Sequence, residues 1–528
     1  MIGKRKPQGD MYDVGYVWDI SLKPSSFHGQ LARAGRQLFR DEDFATCYHA
    51  TRGRPSVPPS QLALLTILQH HAGVSDEEAI ERTCWDARWA AVLGRQLGEP
   101  FCAKSTLQLF RGHLILHDQV LTIFRRSIQE AREAGLLKGT PLRIALDTKP
   151  ILGRGAVEDT YNLLSTGIRQ VCKALAKLKN QKPDEWAGKQ DLRRYFDGSI
   201  KGSAELDWSD PEAKNQFLSE IVADARRLLR LTGDLLGNLP ETAREPVREA
   251  AQLLEQLLLQ DVVESSGPGG QRKAEIKEGT ASSRVPSATD PEQRHGRKSK
   301  SKRFTGHKAT AAVDQESQVI VHADVLAGDA PDATGTLAQV EQVEANTGVP
   351  VADTVGDCAY GSGETREEFS DAGRTLIAKV PKESSNGDCF PKSKFAINLL
   401  ANTVTCPAGQ TTGEYTQKSD GSKVFRFGKK CEDCPFRGQC TRSKSGRQVQ
   451  VHAQEALLQQ AREFQKTPEG KAALRGRVAI EHRLARLGQL GIGQARYVGR
   501  KKVRFQVLLA ATVANLRRTW NWAGANAA

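Results

Sequence analysis

The chain has 528 residues, of which 39% are hydrophobic and 26% charged, and its mean hydropathy is −0.49; this balance excludes a collagen-like, wholly disordered or polytopic membrane protein and leaves room for several globular units. Lys and Arg number 76 against 62 Asp and Glu, a formal charge of +14, which favours a polyanionic partner, nucleic acid first, over a basic surface kept only for solubility. No run reaches the roughly 18 to 20 apolar residues of a membrane span, the opening MIGKRKPQGDMYDVG lacks an apolar signal segment, and ten cysteines are far too sparse for a secreted disulfide scaffold. A cytoplasmic protein with no membrane partner is expected.

Residues 1–138 read as a helical N-terminal domain. A polar turn, RGRPSVPPS, leads into QLALLTILQHH, and Ser75-Asp-Glu-Glu78 matches a capping box at the next helix start. A third helix from Ser105-Thr106 is expected to carry Leu107, Phe110, Leu114 and Leu121 inward, leaving Gln108 and Arg111 outside as DNA contacts; an ordinary helical bundle is the plainer alternative. LRIALDTK (142–149) then reads as a β-strand ending in an acid. Apolar series Phe217, Ile221, Leu228, Leu231, Leu235 and Val247, Leu254, Leu257, Leu258 predict an antiparallel helical hairpin within an insertion at 166–263. Residues 264–289, rich in Gly, Ser and Pro, read as a linker. Strands at 307–313 and 318–326, a helix near 333–346, an extended VPVADTVGDCAYG, a helix near 363–372 and a strand at 376–380 follow. Together, 139–165 and 290–384 predict an α/β layer with a mixed sheet. A cysteine-rich insertion, 385–453, interrupts it before a helical C-terminal part, 454–528.

Asp147 ends one apolar strand, Asp357 lies just past another, and Glu481 sits in the helical RVAIEHRLARL. Three carboxylates from separated segments can hold two divalent cations, since hard ions such as Mg²⁺ take oxygen ligands and stabilise attacking and leaving oxygens in phosphodiester displacement. By spacing alone they are equally ordinary surface acids.

The stretches LDTKPILGRGAVEDTYNLL, RHGRKSKSKRFTGHKATAAVD, GDCAYGSGETRE, RVAIEHRLARLGQLGIGQARYVGRKKV and ATVANLRR resemble, in order, the DDE transposases of insertion-sequence family 1182, as do the N-terminal GRPSVPPSQLALLTIL and PFCAKSTLQLFR. The resemblance implies a ribonuclease H-like catalytic core, Mg²⁺ or Mn²⁺ as a pair of ions, and cleavage and strand transfer at terminal inverted repeats. It further implies double-stranded DNA as partner, a homodimer on that DNA and a bacterial, nucleoid-associated location. The triad falls on Asp147, Asp357 (with Asp353 as the other candidate) and Glu481. Arg477 matches the arginine of the family's Y-x2-R-x3-E-x6-K signature and is a candidate phosphate contact, with a surface ion pair to Glu481 as the alternative. The sequence departs from that signature at Leu474 and Gly488, so Arg486 or the nearby basic loop is expected to replace the missing lysine. A related nuclease and a catalytically inactive, domesticated DNA-binding protein are the rival readings.

Cys406, Cys431, Cys434 and Cys440, with one C-x2-C pair, can supply four thiolates to a structural Zn²⁺; free thiols, or His452 in place of one cysteine, are the alternatives. Two basic stretches complete the candidate DNA surface. RHGRKSKSKR (294–303), six of ten residues cationic, offers Arg297, Lys298, Lys300, Lys302 and Arg303. The segment after the glutamate helix offers Arg496, Arg500, Lys501 and Lys502. Such contacts position a duplex without reading its sequence; a solvated charge run is the plain alternative. Tyr497 either stacks on a base or packs inward.

Overall fold

The computed structural model describes residues 22–49, 51, 53–237, 240–266, 272–299, 301–380 and 388–526. At its centre is a mixed sheet of β1 (Leu142–Leu152), β2 (Arg294–Arg297), β3 (Arg303–Asp314), β4 (Ile320–Ala327), β5 (Val351–Gly356) and β6 (Thr375–Ala378). Apart from the short β2, which pairs with the start of β3, the spatial order is β4-β3-β1-β5-β6. The β4–β3 and β3–β1 pairs are antiparallel, and the β1–β5 and β5–β6 pairs parallel. Apart from β2, which falls in the stretch read only as a basic run, the strands match the predicted ones to within a few residues, because β-branched and small apolar runs bounded by turns are the clearest strand signal in the chain.

The N-terminal helices include α1 (Pro59–Ala72), α2 (Asp76–Trp85), α3 (Lys104–Leu116) and α4 (Val120–Glu133), beside Phe27–Leu38 and the short Ala87–Leu93. Ser75 caps α2, its hydroxyl accepting from Glu78 N–H, as the capping box predicts. The third helix differs from expectation: it stops at Leu116, the chain turns through Asp118 with φ +53°, and Leu121 belongs to α4. α1 is buried along its whole length from Pro59 to His70.

Two C-terminal helices pack against the sheet: α5 (Val478–Leu487) and α6 (Arg500–Asn526). α6 packs on β4, α4 and α1, and the small Ala309, Ala311 and Ala312 of β3 lie fully buried in the same core. Asn515 ties the layers together, accepting from Ile320 N at 2.9 Å and donating to Ile320 O and Ser127 Oγ. One hydrophobic core therefore runs from Phe27 through the sheet to Trp520. The N-terminal helices share this core instead of forming one of their own.

Residues 160–288 build a second core. Three long helices supply it, Thr160–Leu178, Pro211–Leu236 and Glu241–Asp261, where the sequence pattern predicted a two-helix hairpin; the first helix carries its own apolar face (Leu164, Ile168, Val171, Leu175). The described part of the predicted linker is likewise structured. Val262–Ser266 pairs with Arg272–Ile276 as an antiparallel ribbon, and Val285 and Ala288 are buried. Residues 388–451 form two three-stranded sheets around a third, small core of Phe395, Phe425, Phe427 and neighbours. Among the described residues no helix is long and apolar enough to cross a membrane.

Candidate active site

β1 and β5 run side by side, and their last parallel couple is Ala145–Val355. Asp147 and Asp357 each lie two residues beyond it, so the register delivers both carboxylates to the same end of neighbouring strands. Asp147 Oδ1 accepts from Thr148 N at 2.7 Å. Asp357 Oδ1 accepts from Ala359 N at 2.8 Å and caps the short turn Cys358–Tyr360. That turn folds back so tightly that a Cβ on Gly356 would lie 2.7 Å from the Tyr360 side chain, which explains the glycine in VGDCAYG. Asp353, the other candidate for the second acid, is four residues upstream and ion-paired with Arg143 at 3.2 Å.

Burial pushes the Asp147 carboxyl up to about 6; the Thr148 N–H and Arg477 oppose this, while Asp357 and Asp332 add to it. Asp332 was not among the sequence candidates. It sits in the loop after β4 and accepts from Lys308 Nζ at 2.8 Å. Tyr360, also unforeseen, is fully buried, and burial followed by the charges of Asp147, Asp332 and Asp357 holds its hydroxyl well above the usual range. Asp332 lies in no quoted stretch, and Tyr360, although within GDCAYG, was given no role there; the folded loops bring both here.

Glu481 comes from α5, and Arg477 stands at that helix's N-cap. Arg477 Nη2 donates to Glu481 Oε1 at 2.5 Å and Nη1 to Asp147 Oδ2 at 3.3 Å. One guanidinium thus bridges two of the three candidate carboxylates across 330 residues of sequence. Its cationic charge lies where the acids converge, and three carboxylates are the donor type a hard divalent ion takes. As arranged, no three His, Cys, Asp or Glu side chains among the described residues close on one ion, and Glu481 is engaged by Arg477. Leu474, at the signature's tyrosine position, lines a groove with Arg143, Asp353 and Leu376. Arg486 is turned to Gln489 at 2.8 Å.

Residues 405–520 match the family described as Transposase DDE domain, and residues 26–113 match Transposase domain (DUF772). The first match contains Arg477 and Glu481; the second contains α1, α2 and most of α3. Together these two matches indicate an insertion-sequence DDE transposase. No curated protein and no solved structure matches it. The matched families imply a DNA-processing enzyme with a ribonuclease H-like fold and suggest a divalent metal, and the mixed sheet of the chain accords with that fold.

The remaining candidates of the transposase fall into three groups. Arg297, Lys298, Lys302 and Arg303 stand exposed on the hairpin between β2 and β3; Lys300 lies outside the described residues. Lys501 and Lys502 are exposed at the start of α6, Arg500 pairs with Glu292 at 3.2 Å, and Arg496 is half-buried with its backbone N–H on Gln506. Tyr497 packs inward, edge-on to Phe505. Arg111 is not on the surface: it is buried, with both Nη atoms 2.5 Å from the Asp76 carboxylate and Nη1 3.2 Å from Gln69. Gln108 also donates to Asp76, at 3.1 Å, from an exposed position. Helical periodicity placed Arg111 off the α3 core face correctly, but α2 covers that second face and supplies the acid.

Cys431 and Cys440 are buried, and Cys406 and Cys434 half-buried. Burial raises the Cys440 thiol, Arg447 opposes this, and Cys431, Cys406 and Cys434 raise it further, so the four sulfurs are electrostatic neighbours. Cys431 Sγ accepts from Arg447 N at 3.4 Å, and this set too falls short of closing on an ion among the described residues. His452 stands apart, with Nε2 3.2 Å from Glu364.

Proposed function

We propose that the chain cuts DNA at the terminal inverted repeats of its own element and joins the freed 3′-hydroxyls to target DNA. The observation that carries this is the convergence of Asp147 and Asp357 at adjacent strand ends under the α5 helix that bears Arg477 and Glu481. Asp147, Asp357 and Glu481 would hold two Mg²⁺ or Mn²⁺ ions, which when bound activate the attacking oxygen and stabilise the leaving one. Glu481 must leave Arg477 to join them, and the released guanidinium then faces the strand phosphate beside the acids. The hairpin of Arg297, Lys298, Lys302 and Arg303, with Lys501 and Lys502, supplies phosphate contacts, and two copies of the chain bring the two ends together. Cys406, Cys431, Cys434 and Cys440 serve as a structural Zn²⁺ set that fixes residues 388–451.

The deciding experiment incubates purified protein with its flanking DNA ends and a supercoiled target, with Mg²⁺, with EDTA, and as Asp357→Ala. Metal-dependent nicks and joined products, absent in the variant while end binding persists, are expected. Nicks without joining would make the protein a nuclease, and binding without nicks an inactive DNA-binding protein.

A further inference from the structure

Resting on that reading, we propose that Lys149 holds a DNA phosphate at the active site and takes the place of a lysine on α5. Side chains alternate along a strand, so Lys149 shares the sheet face of Asp147. Gly488 follows Glu481 by seven residues, two helical turns, and so lies on the same side of α5. The two positions meet: a Cβ built on Gly488 would stand 3.0 Å from Lys149 Cε and 3.1 Å from its Nζ. The ammonium therefore occupies the space beside the helix into which a side chain at 488 would project. Where the sequence pattern left Arg486 or the basic loop to supply the missing cation, the fold brings one from β1.

Lys149 also lacks the carboxylate partner that several neighbouring cations have. Lys308, across the sheet, is neutralised by Asp332, Arg477 by Asp147 and Glu481, Arg500 by Glu292 and Arg504 by Asp118 and Asp324. Lys149 is half-buried, and among the described residues no carboxylate pairs with it. A half-buried ammonium without a counter-ion, on the face that carries the candidate acids, suits an anion delivered by the substrate. A phosphodiester is the anion this substrate carries, and a lysine binds it as a point charge.

The geometry specifies its own test. Gly488 is helical, with φ −59°, so a lysine there is unstrained once the Lys149 side chain is removed. Single-turnover nicking of end DNA and the salt dependence of end binding are measured for wild type, Lys149→Ala, Lys149→Arg and the double variant Lys149→Ala/Gly488→Lys. Lys149→Ala should nick about 100-fold more slowly, with unchanged thermal unfolding and a binding slope shallower by about 0.9. Lys149→Arg should recover part of the rate, and the double variant should nick at least about tenfold faster than Lys149→Ala, a gain no structural role of Lys149 would give. Wild-type nicking with an unaffected Lys149→Ala, or a double variant no better than the single one, overturns the proposal. Failure of the wild type to nick with metal refutes the transposase chemistry instead. The salt slope then decides the phosphate contact by itself, an unchanged slope in Lys149→Ala overturning it.

Discussion

Replacing Asp147 by Asn should remove activity and yet stabilise the metal-free protein. The folded-state carboxyl titrates at about 6 against an ordinary value of 3.8. Between those values the folded molecule keeps a proton that the unfolded chain has released, so stability falls as pH rises through that window and levels off above it. The gap corresponds to about 3 kcal/mol, an upper bound because the Asp147 side chain keeps 21% of its surface in water. Asn has nearly the same shape and can still accept from Thr148 N through its one oxygen, whereas its amide nitrogen, a donor, does not replace the oxygen that accepts from Arg477. Thermal unfolding of wild type and Asp147→Asn in EDTA should coincide near pH 4 and separate by pH 8, the variant melting higher. Mg²⁺ should then raise the wild type and leave the variant unchanged. A variant that melts at or below wild type at pH 8, or a difference that does not change with pH, would refute the account of why this carboxyl is perturbed.

Arg111→Met should destabilise the N-terminal helices by about 3 kcal/mol, since it strands a largely buried Asp76 carboxylate; hydrogen exchange in α2 and α3 reads this out, and native protection with weakened DNA binding would restore Arg111 to the surface. Burial works to raise the Asp76 carboxyl, but the bonds from Arg111, Gln69 and Gln108 prevail and hold it well below the usual range, so the pair's contribution is full at neutral pH and is lost on acidification. Alanine at Arg297, Lys298, Lys302 and Arg303 together should leave unfolding within about 0.5 kcal/mol per site while flattening the salt dependence of DNA binding by about 0.9 for each phosphate no longer neutralised; an unchanged slope would make the hairpin a bystander. Mercurial titration of the four clustered cysteines should release about one Zn²⁺ per chain, and Cys431→Ser should lower that yield; metal-free protein with native protease resistance across 388–451 would remove the zinc assignment.

The core strands were legible because LRIALDTK, HKATAAV and VADTVG are short apolar runs between polar turns, and each became a sheet member. The convergence of Asp147 and Asp357 was legible only through resemblance, since spacing says nothing about which strands become neighbours. Arg477 and Glu481 were readable as a pair at helical spacing, but the second bond of Arg477, to Asp147, is a property of the fold. Asp332, Tyr360 and the meeting of Lys149 with Gly488 were hidden for the same reason: each depends on a loop or on a partner far away in sequence. Arg111 misled because one helix's periodicity identifies the face turned to its main core and is silent about a neighbour laid across its flank.

The placement of α6 sets an order on how the protein is made. The N-terminal helices, complete at Glu133, leave apolar side chains waiting for a segment that begins at Arg500. At synthesis rates of about 5 to 20 residues per second, that interval is roughly 20 to 70 seconds. The units at 160–288 and 388–451, whose apolar partners lie within their own stretches, have no such delay. A nascent chain therefore carries finished side modules around an open centre, and becomes competent to act only when α6 arrives to close it.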